Sequence, residues 1–160
     1  MSLMFKLYRI FTALSLMITG LFTFLGLFMA LSSGANPMML LSVMIWGACF
    51  IHSVLSLYLQ RSLILPEVPL KENTPTGIRI MGVITILFGA LLFMGGLGLL
   101  ALPPEMKKEV AQQLGADNAS VLTPMSVVFL IISFILTFNA NLSFRFLREW
   151  TRRNEDKHPE

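Results

Sequence analysis

Four uncharged apolar segments constrain this chain more than any other feature of its sequence. They cover residues 7–31, 38–59, 78–102 and 122–144, and Asp, Glu, Lys and Arg occur in them only at the edges. A bilayer core of roughly 30 Å is crossed by about 20 apolar residues in a helix. With 55% hydrophobic and 13% charged residues, the chain also lies outside the composition of soluble domains. The sequence therefore predicts an all-α integral membrane protein, a bundle of four transmembrane helices.

The basic residues are distributed unevenly between the two sides of such a bundle. Of the twelve Lys and Arg, only Lys107 and Lys108 lie in a connection that follows an odd-numbered span. The other ten lie in the amino terminus, the loop after the second span and the carboxyl tail. Because cytoplasmic segments carry an excess of Lys and Arg, we expect a bacterial inner (plasma) membrane protein with both termini cytoplasmic. The arginines expected to contact lipid headgroups are Arg9, Arg61, Arg79, Arg145, Arg148, Arg152 and Arg153.

The second half of the sequence resembles the first. Residues 37–61 align on residues 124–148 without a gap, so that Pro37 matches Pro124, Ser56 matches Ser143 and Arg61 matches Arg148. The first span aligns on the third at another constant offset, matching Arg9 with Arg79 and Gly26 with Gly96. These matches predict two tandem helical hairpins of the same orientation, at 6–61 and 77–148, joined by a cytoplasmic linker at 62–76. The single membrane domain would then cover 1–148, followed by a charged cytoplasmic tail at 149–160.

Small residues recur on one face of the first and third spans. Such residues allow membrane helices to approach closely. The candidate packing residues are Thr12, Ser15, Thr19, Gly26, Gly82, Thr85, Gly89 and Gly96. Two hairpins of the same orientation are related by an axis along the membrane normal. We expect the first and third spans to meet near that axis, around Thr19 and Gly89.

The connection between the third and fourth spans contains its own helical pattern. Met106, Val110 and Leu114 recur at every fourth position between Pro104 and Gly115. This spacing predicts a short extracytoplasmic amphipathic helix that lies on the outer membrane face. The alternative is a solvated connector that only bridges the two spans.

A cluster of polar residues is expected in the cytoplasmic half of the second and fourth spans. Its members are His52, Ser56, Asn139, Asn141 and Ser143, and in the repeat alignment His52 and Ser56 correspond to Asn139 and Ser143. Polar groups in hydrocarbon need partners. We interpret the cluster as structural, with His52 bonded to a serine or to the backbone. The alternative is a cytoplasm-facing pocket in which His52 binds a ligand. Gln60, closer to the span end, is expected to be accessible to solvent.

Catalytic and metal-binding patterns are absent from the sequence. It contains neither His-Glu-x-x-His nor Gly-x-Ser-x-Gly, and its spans contain no acidic residue. Cys49 and His52 share a helix face, with Met44 nearby, but two ligands on one helix do not form a metal site. We therefore expect no catalytic residue, metal or cofactor.

The composition leaves three classes of function open. The favoured class is a non-enzymatic accessory, scaffold or assembly subunit of a membrane complex, because the polar residues suffice for helix packing and little remains for chemistry. The second is a small transporter, channel or lipid-handling protein, and the third is a redox or quinone-linked membrane enzyme. The expected partners are the lipid bilayer and a homo-oligomer or larger membrane complex. Nucleic acid is not expected as a partner, because the basic residues form no aromatic-basic platform and anionic lipid headgroups account for them.

Overall fold

The computed structural model describes residues 3–34, 36–65, 67–115 and 118–155, and these ranges contain helices and no strand. The helices are α1 (Leu3–Ser33), α2 (Pro37–Ile64), α3 (Thr74–Ala101), α4 (Pro104–Gln113) and α5 (Leu122–Glu155), with a 3-10 turn at Ala119–Val121. Helices α1, α2, α3 and α5 are each long and apolar enough to cross a membrane. The prediction of an all-α chain is confirmed, and so is the prediction of four helices able to span a membrane.

Local sequence explains where the helices begin and end. Asn36 caps α2, because its Oδ1 accepts a hydrogen bond from the Met39 amide at 2.8 Å. Pro37 then occupies the first turn, where its missing N–H has no cost. Gly34 has φ +83°, which allows the tight connection between α1 and α2. Gly115 has φ +68° and follows the end of α4. Helix α5 continues without interruption to Glu155, and residues 156–160 of the expected tail lie outside the described residues.

Close contacts arrange the four long helices in two pairs of consecutive helices. A Cβ atom added to Gly26 of α1 would lie 2.8 Å from Val43 of α2, and one added to Gly20 would lie 3.2 Å from Phe50. A Cβ atom at Gly96 of α3 would lie 3.1 Å from Leu130 of α5, and one at Gly82 would lie 2.7 Å from Phe144. In both pairs the residue numbers run in opposite directions. The small residues thus allow two antiparallel pairs, α1 with α2 and α3 with α5.

The expectation that α1 and α3 meet around Thr19 and Gly89 is wrong. Gly89 instead lies against Thr137 and the carbonyl oxygen of Ser133, both in α5. Between the two pairs, α2 packs against α3 and α1 packs against α5, and across the centre of the bundle contacts also join α2 and α5. Helices α2 and α5 carry buried serine, histidine and asparagine side chains, and buried polar groups need polar partners. The small residues of α1 and α3 only require a close neighbour, and the adjacent antiparallel helix provides it.

One end of the bundle, which we call the basic end, contains the start of α1, the end of α2, the start of α3 and the second half of α5. Its apolar core includes Tyr8, Leu59, Ile78 and Phe146. The rings of Tyr8 and Phe146 stack with centroids 5.0 Å apart. All seven arginines predicted to contact lipid headgroups are exposed around this end. The aromatic core therefore fixes the four helix ends that present these charges.

Candidate functional site

The polar cluster predicted from sequence forms mainly between α2 and α5. His52, Ser56, Asn139 and Ser143 are all fully buried, with no exposed side-chain surface. Asn141 lies apart from them, because it is exposed and its Nδ2 donates to the Thr137 carbonyl oxygen of its own helix at 2.8 Å. Residues two positions apart point to different sides of a helix. The cluster therefore contains four of the five expected residues.

A serine pair lies at the centre of the cluster. The Oγ atoms of Ser56 and Ser143 are 2.8 Å apart and join α2 to α5. Each Oγ also lies 2.9 Å from the carbonyl oxygen one turn earlier, that of His52 or Asn139. Since each hydroxyl has one hydrogen, one serine donates to the other, and the second donates to its own helix. The Tyr8 hydroxyl adds α1 by donating to the Ser56 carbonyl oxygen at 3.3 Å.

Thr12 connects three helices beside this pair. Gln60 of α2 donates through Nε2 to Thr12 Oγ1 at 2.7 Å. Thr12 Oγ1 in turn lies 2.8 Å from Asn139 Oδ1 in α5 and 2.8 Å from the Tyr8 carbonyl oxygen. Gln60 is only 5% exposed, so the expectation that it is accessible to solvent is wrong. The long amide side chain of Gln60 turns inward because Thr12 offers it a buried acceptor.

Other predicted packing residues extend the polar contacts along the bundle. The Oγ atoms of Ser15 in α1 and Ser53 in α2 are 2.8 Å apart. Ser133 of α5 donates to the Gly89 carbonyl oxygen of α3 at 2.7 Å. Thr19 and Thr85 are fully buried and donate to carbonyl oxygens of their own helices at 2.7 Å and 2.8 Å. All four long helices are thus joined by buried hydrogen bonds.

Two buried side chains in the cluster have unpaired polar atoms. Among the described residues, His52 Nδ1, His52 Nε2 and Asn139 Nδ2 have no hydrogen-bond partner. A Cβ atom at Gly82 would lie 3.2 Å from His52 Nε2, so the imidazole packs directly against the α3 backbone. His52 is therefore held by packing rather than by the serine or backbone bond expected from sequence. Leaving a buried polar group unpaired costs about 1–3 kcal/mol.

The residues considered for metal binding do not form a site in the described part of the chain. Cys49 is fully buried one turn before His52, whereas Met44 is 72% exposed. No group of three or more His, Cys, Asp or Glu side chains that could hold a metal ion occurs among the described residues.

Open cavities lie elsewhere on the molecule. One of about 290 Å³ is formed at the basic end by α2 and the segment that leads into α3. A second, of about 490 Å³, lies between α1 and α2 at the opposite end, next to Phe22 and Trp46. A third, of about 680 Å³, follows α5 from Asn141 to Arg153. None of these three is lined by His52, Ser56, Asn139 or Ser143.

Sequence reasoning missed Tyr8 as a member of the buried network, and it placed Gln60 on the polar face of Ser56 but expected it to reach solvent. Gln60 lies four residues after Ser56, and this helical spacing is the signal that places both on one face. Tyr8 has no comparable signal, because a tyrosine near a span end is equally compatible with the lipid interface.

Comparison of the chain with protein-family models, curated proteins and solved structures finds no match.

Proposed function

We propose that this chain is a non-enzymatic membrane subunit, a scaffold or assembly factor that acts by binding other membrane-embedded segments. The observation that carries this proposal is the buried hydrogen-bond network of Thr12, Gln60, Ser56 and Ser143. Its polar groups join helices to one another and present no polar surface to a solute. What remains for recognition is the exterior of the bundle, which is apolar along the spans and basic at one end.

We further propose that the bundle is a duplicated hairpin with a pseudo-twofold axis that passes between Ser56 and Ser143. These two serines correspond in the sequence alignment and lie in contact, as equivalent residues beside a twofold axis do. The contact of Gly26 with Val43 likewise corresponds to that of Gly96 with Leu130. The contact of Thr12 with Asn139 corresponds to that of Gly82 with His52. Duplication of one hairpin accounts for all three matched contacts at once, whereas two unrelated hairpins would have to acquire each contact separately.

The orientation follows from the charge distribution. The basic end would face the cytoplasm of a bacterial inner membrane, in agreement with the positive-inside bias. Helix α4 would then lie on the outer face. Met106 within α4 and Leu114 directly after it are exposed and available to enter the interfacial layer, while Ala111 of α4 is buried.

A small transporter or lipid-handling protein is the second candidate, favoured by the unpaired atoms of His52 and Asn139. These residues correspond in the repeat alignment, and a rearranged bundle in which both faced a cavity would present polar groups to a solute. Such a function requires water to reach the cluster in at least one state, whereas a scaffold does not require it.

Photo-crosslinking from the exterior tests the scaffold role. A photoreactive phenylalanine analogue is placed at Phe24 in α1 or Phe93 in α3, which are 64% and 48% exposed. The matched control position is Phe146, which is 5% exposed. In cells that express the chain at its native level, we expect a discrete protein adduct from at least one exposed position and only intrachain products from Phe146. Adducts to lipid alone at both exposed positions, and at equivalents on α2 and α5, would contradict the proposal.

A further inference from the structure

A recess at the basic end has the features of a small ligand site that the buried network does not use. It has a volume of about 290 Å³ and is enclosed by the last turns of α2 and by residues 68–74. Leu55 and Val68 contribute apolar wall, and Arg61 and Lys71 contribute two cations. Ligand pockets in proteins begin at about 300 Å³. At about 290 Å³ the recess lies at the lower limit of that range, so it fits a headgroup or a small anion but not a whole lipid.

The electrostatics of the recess favour an anion. Within the described ranges the ion pair that forms is Arg153 with Glu149, and neither Arg61 nor Lys71 has a carboxylate within 4.0 Å. Two cations that line one recess repel each other, and a bound anion removes that repulsion. Helix α3 also begins at this recess, and its N-cap residue Asn73 makes no side-chain capping bond. The uncapped helix start adds partial positive charge on the same side.

A hydroxyl group inside the recess supplies a neutral donor. Ser62 Oγ accepts a hydrogen bond from Trp150 Nε1 at 3.0 Å, which ties the α5 tail to the end of α2. The Ser62 hydroxyl hydrogen remains available for an acceptor oxygen of a ligand. An Arg guanidinium, a Lys ammonium and a hydroxyl are together suited to the several acceptor oxygens of a phosphate group.

We propose that this recess binds the phosphate of an anionic membrane phospholipid, with its glycerol carbons against Leu55 and Val68. The apolar wall and the position of Arg61 at the end of a membrane-spanning helix favour a lipid over free inorganic phosphate, which shares only the polar chemistry. Arg148, which corresponds to Arg61 in the sequence alignment, lines the open groove along α5 instead and has no covering linker. Lys6 is the control for charge without enclosure, because it is an exposed cation of the basic end and does not line the recess.

Lipid titration of the purified full chain in a neutral detergent tests the site, with native mass spectrometry as the readout. The probes are dioleoyl phosphatidylglycerol, dioleoyl phosphatidylcholine and inorganic phosphate. We expect one saturable phosphatidylglycerol molecule per chain, with a Kd that rises about tenfold for each of Arg61→Gln and Lys71→Gln. Lys6→Gln should change the Kd by no more than roughly twofold. Circular dichroism of each variant verifies that its helices are intact.

Three results would overturn the assignment. One is a loss of affinity in Lys6→Gln equal to that in Lys71→Gln, which would indicate non-specific charge attraction. Another is phosphatidylcholine binding as tight as phosphatidylglycerol binding. The third is inorganic phosphate binding at this site more tightly than the lipid, which would make a soluble phosphate the ligand. Loss of this site would leave the scaffold role intact, because that role depends on the buried network and the exterior of the spans.

Discussion

Replacing Gly89 by leucine should separate α3 from α5. Even a Cβ atom at this position overlaps Thr137 Oγ1 and lies 3.5 Å from the carbonyl oxygen of Ser133. Leucine adds three further carbon atoms to that contact, and overpacking of this kind costs about 1–3 kcal/mol. Separation of the helices also lengthens the 2.7 Å bond from Ser133 to the Gly89 carbonyl oxygen, a loss of about 0.6 kcal/mol for a typical membrane-buried bond. The free energy of unfolding should fall by about 2–4 kcal/mol.

Gly95→Leu is the matched control for this variant. Gly95 lies in the same helix, and a Cβ atom there has nothing within 4 Å. Because both variants replace glycine by leucine in α3, the change in helix propensity is the same and cancels in the comparison. Unfolding in mixed detergent micelles with increasing dodecyl sulfate, followed by circular dichroism, measures both. A difference of 2 kcal/mol corresponds to about thirtyfold in the unfolding equilibrium. Equal transition midpoints for the two variants would refute the packing of Gly89 against α5.

Three further predictions follow, two from the buried polar contacts and one from the charge distribution. His52→Leu removes two unpaired buried nitrogens, so it should leave the free energy of unfolding unchanged or raise it by about 1–3 kcal/mol. Thr12→Val removes a bonded hydroxyl and should lower the free energy of unfolding. Marked destabilisation by His52→Leu in the micelle assay would show that the imidazole has a partner. Ser56→Ala and Ser143→Ala should show a coupling energy of about 0.6–1.7 kcal/mol in a double-mutant cycle, and strict additivity would mean that the hydroxyls do not bond. Cysteines introduced at Gly34 and Gln113 should react with an impermeant reagent in intact cells while those at Asn73 and Asn154 do not, and labelling at Asn73 would reverse the proposed orientation.

The sequence was sufficient to predict which segments are helical, but not which helices touch or, for Gln60 and Asn141, which polar side chains are buried. Length and hydropathy determine four spans, and helical spacing places His52 and Ser56 on one buried face. A small residue such as Gly89 specifies close approach without specifying the partner, so α3 was paired with α1 instead of α5. Asn141 has the same chemistry as Asn139, and only the helix rotation set by tertiary packing separates an exposed amide from a buried one. The recess around Lys71 was not predictable, because the path of a proline-rich linker has no periodic signal.

The central claim is that the polar interior is a sealed packing network. The most direct test of this claim is to measure whether water-soluble reagents reach the serine pair. In a Cys49→Ala background, Ser56→Cys and Ser143→Cys are compared with Arg148→Cys, which is exposed at the same end of the bundle. A small water-soluble thiol reagent is applied to inside-out vesicles, and the extent of modification is measured by mass spectrometry. The sealed network predicts rapid modification at position 148 and almost none at positions 56 and 143. Modification of either buried position at a rate comparable to that at 148 would contradict it and would favour a solute pathway between α2 and α5.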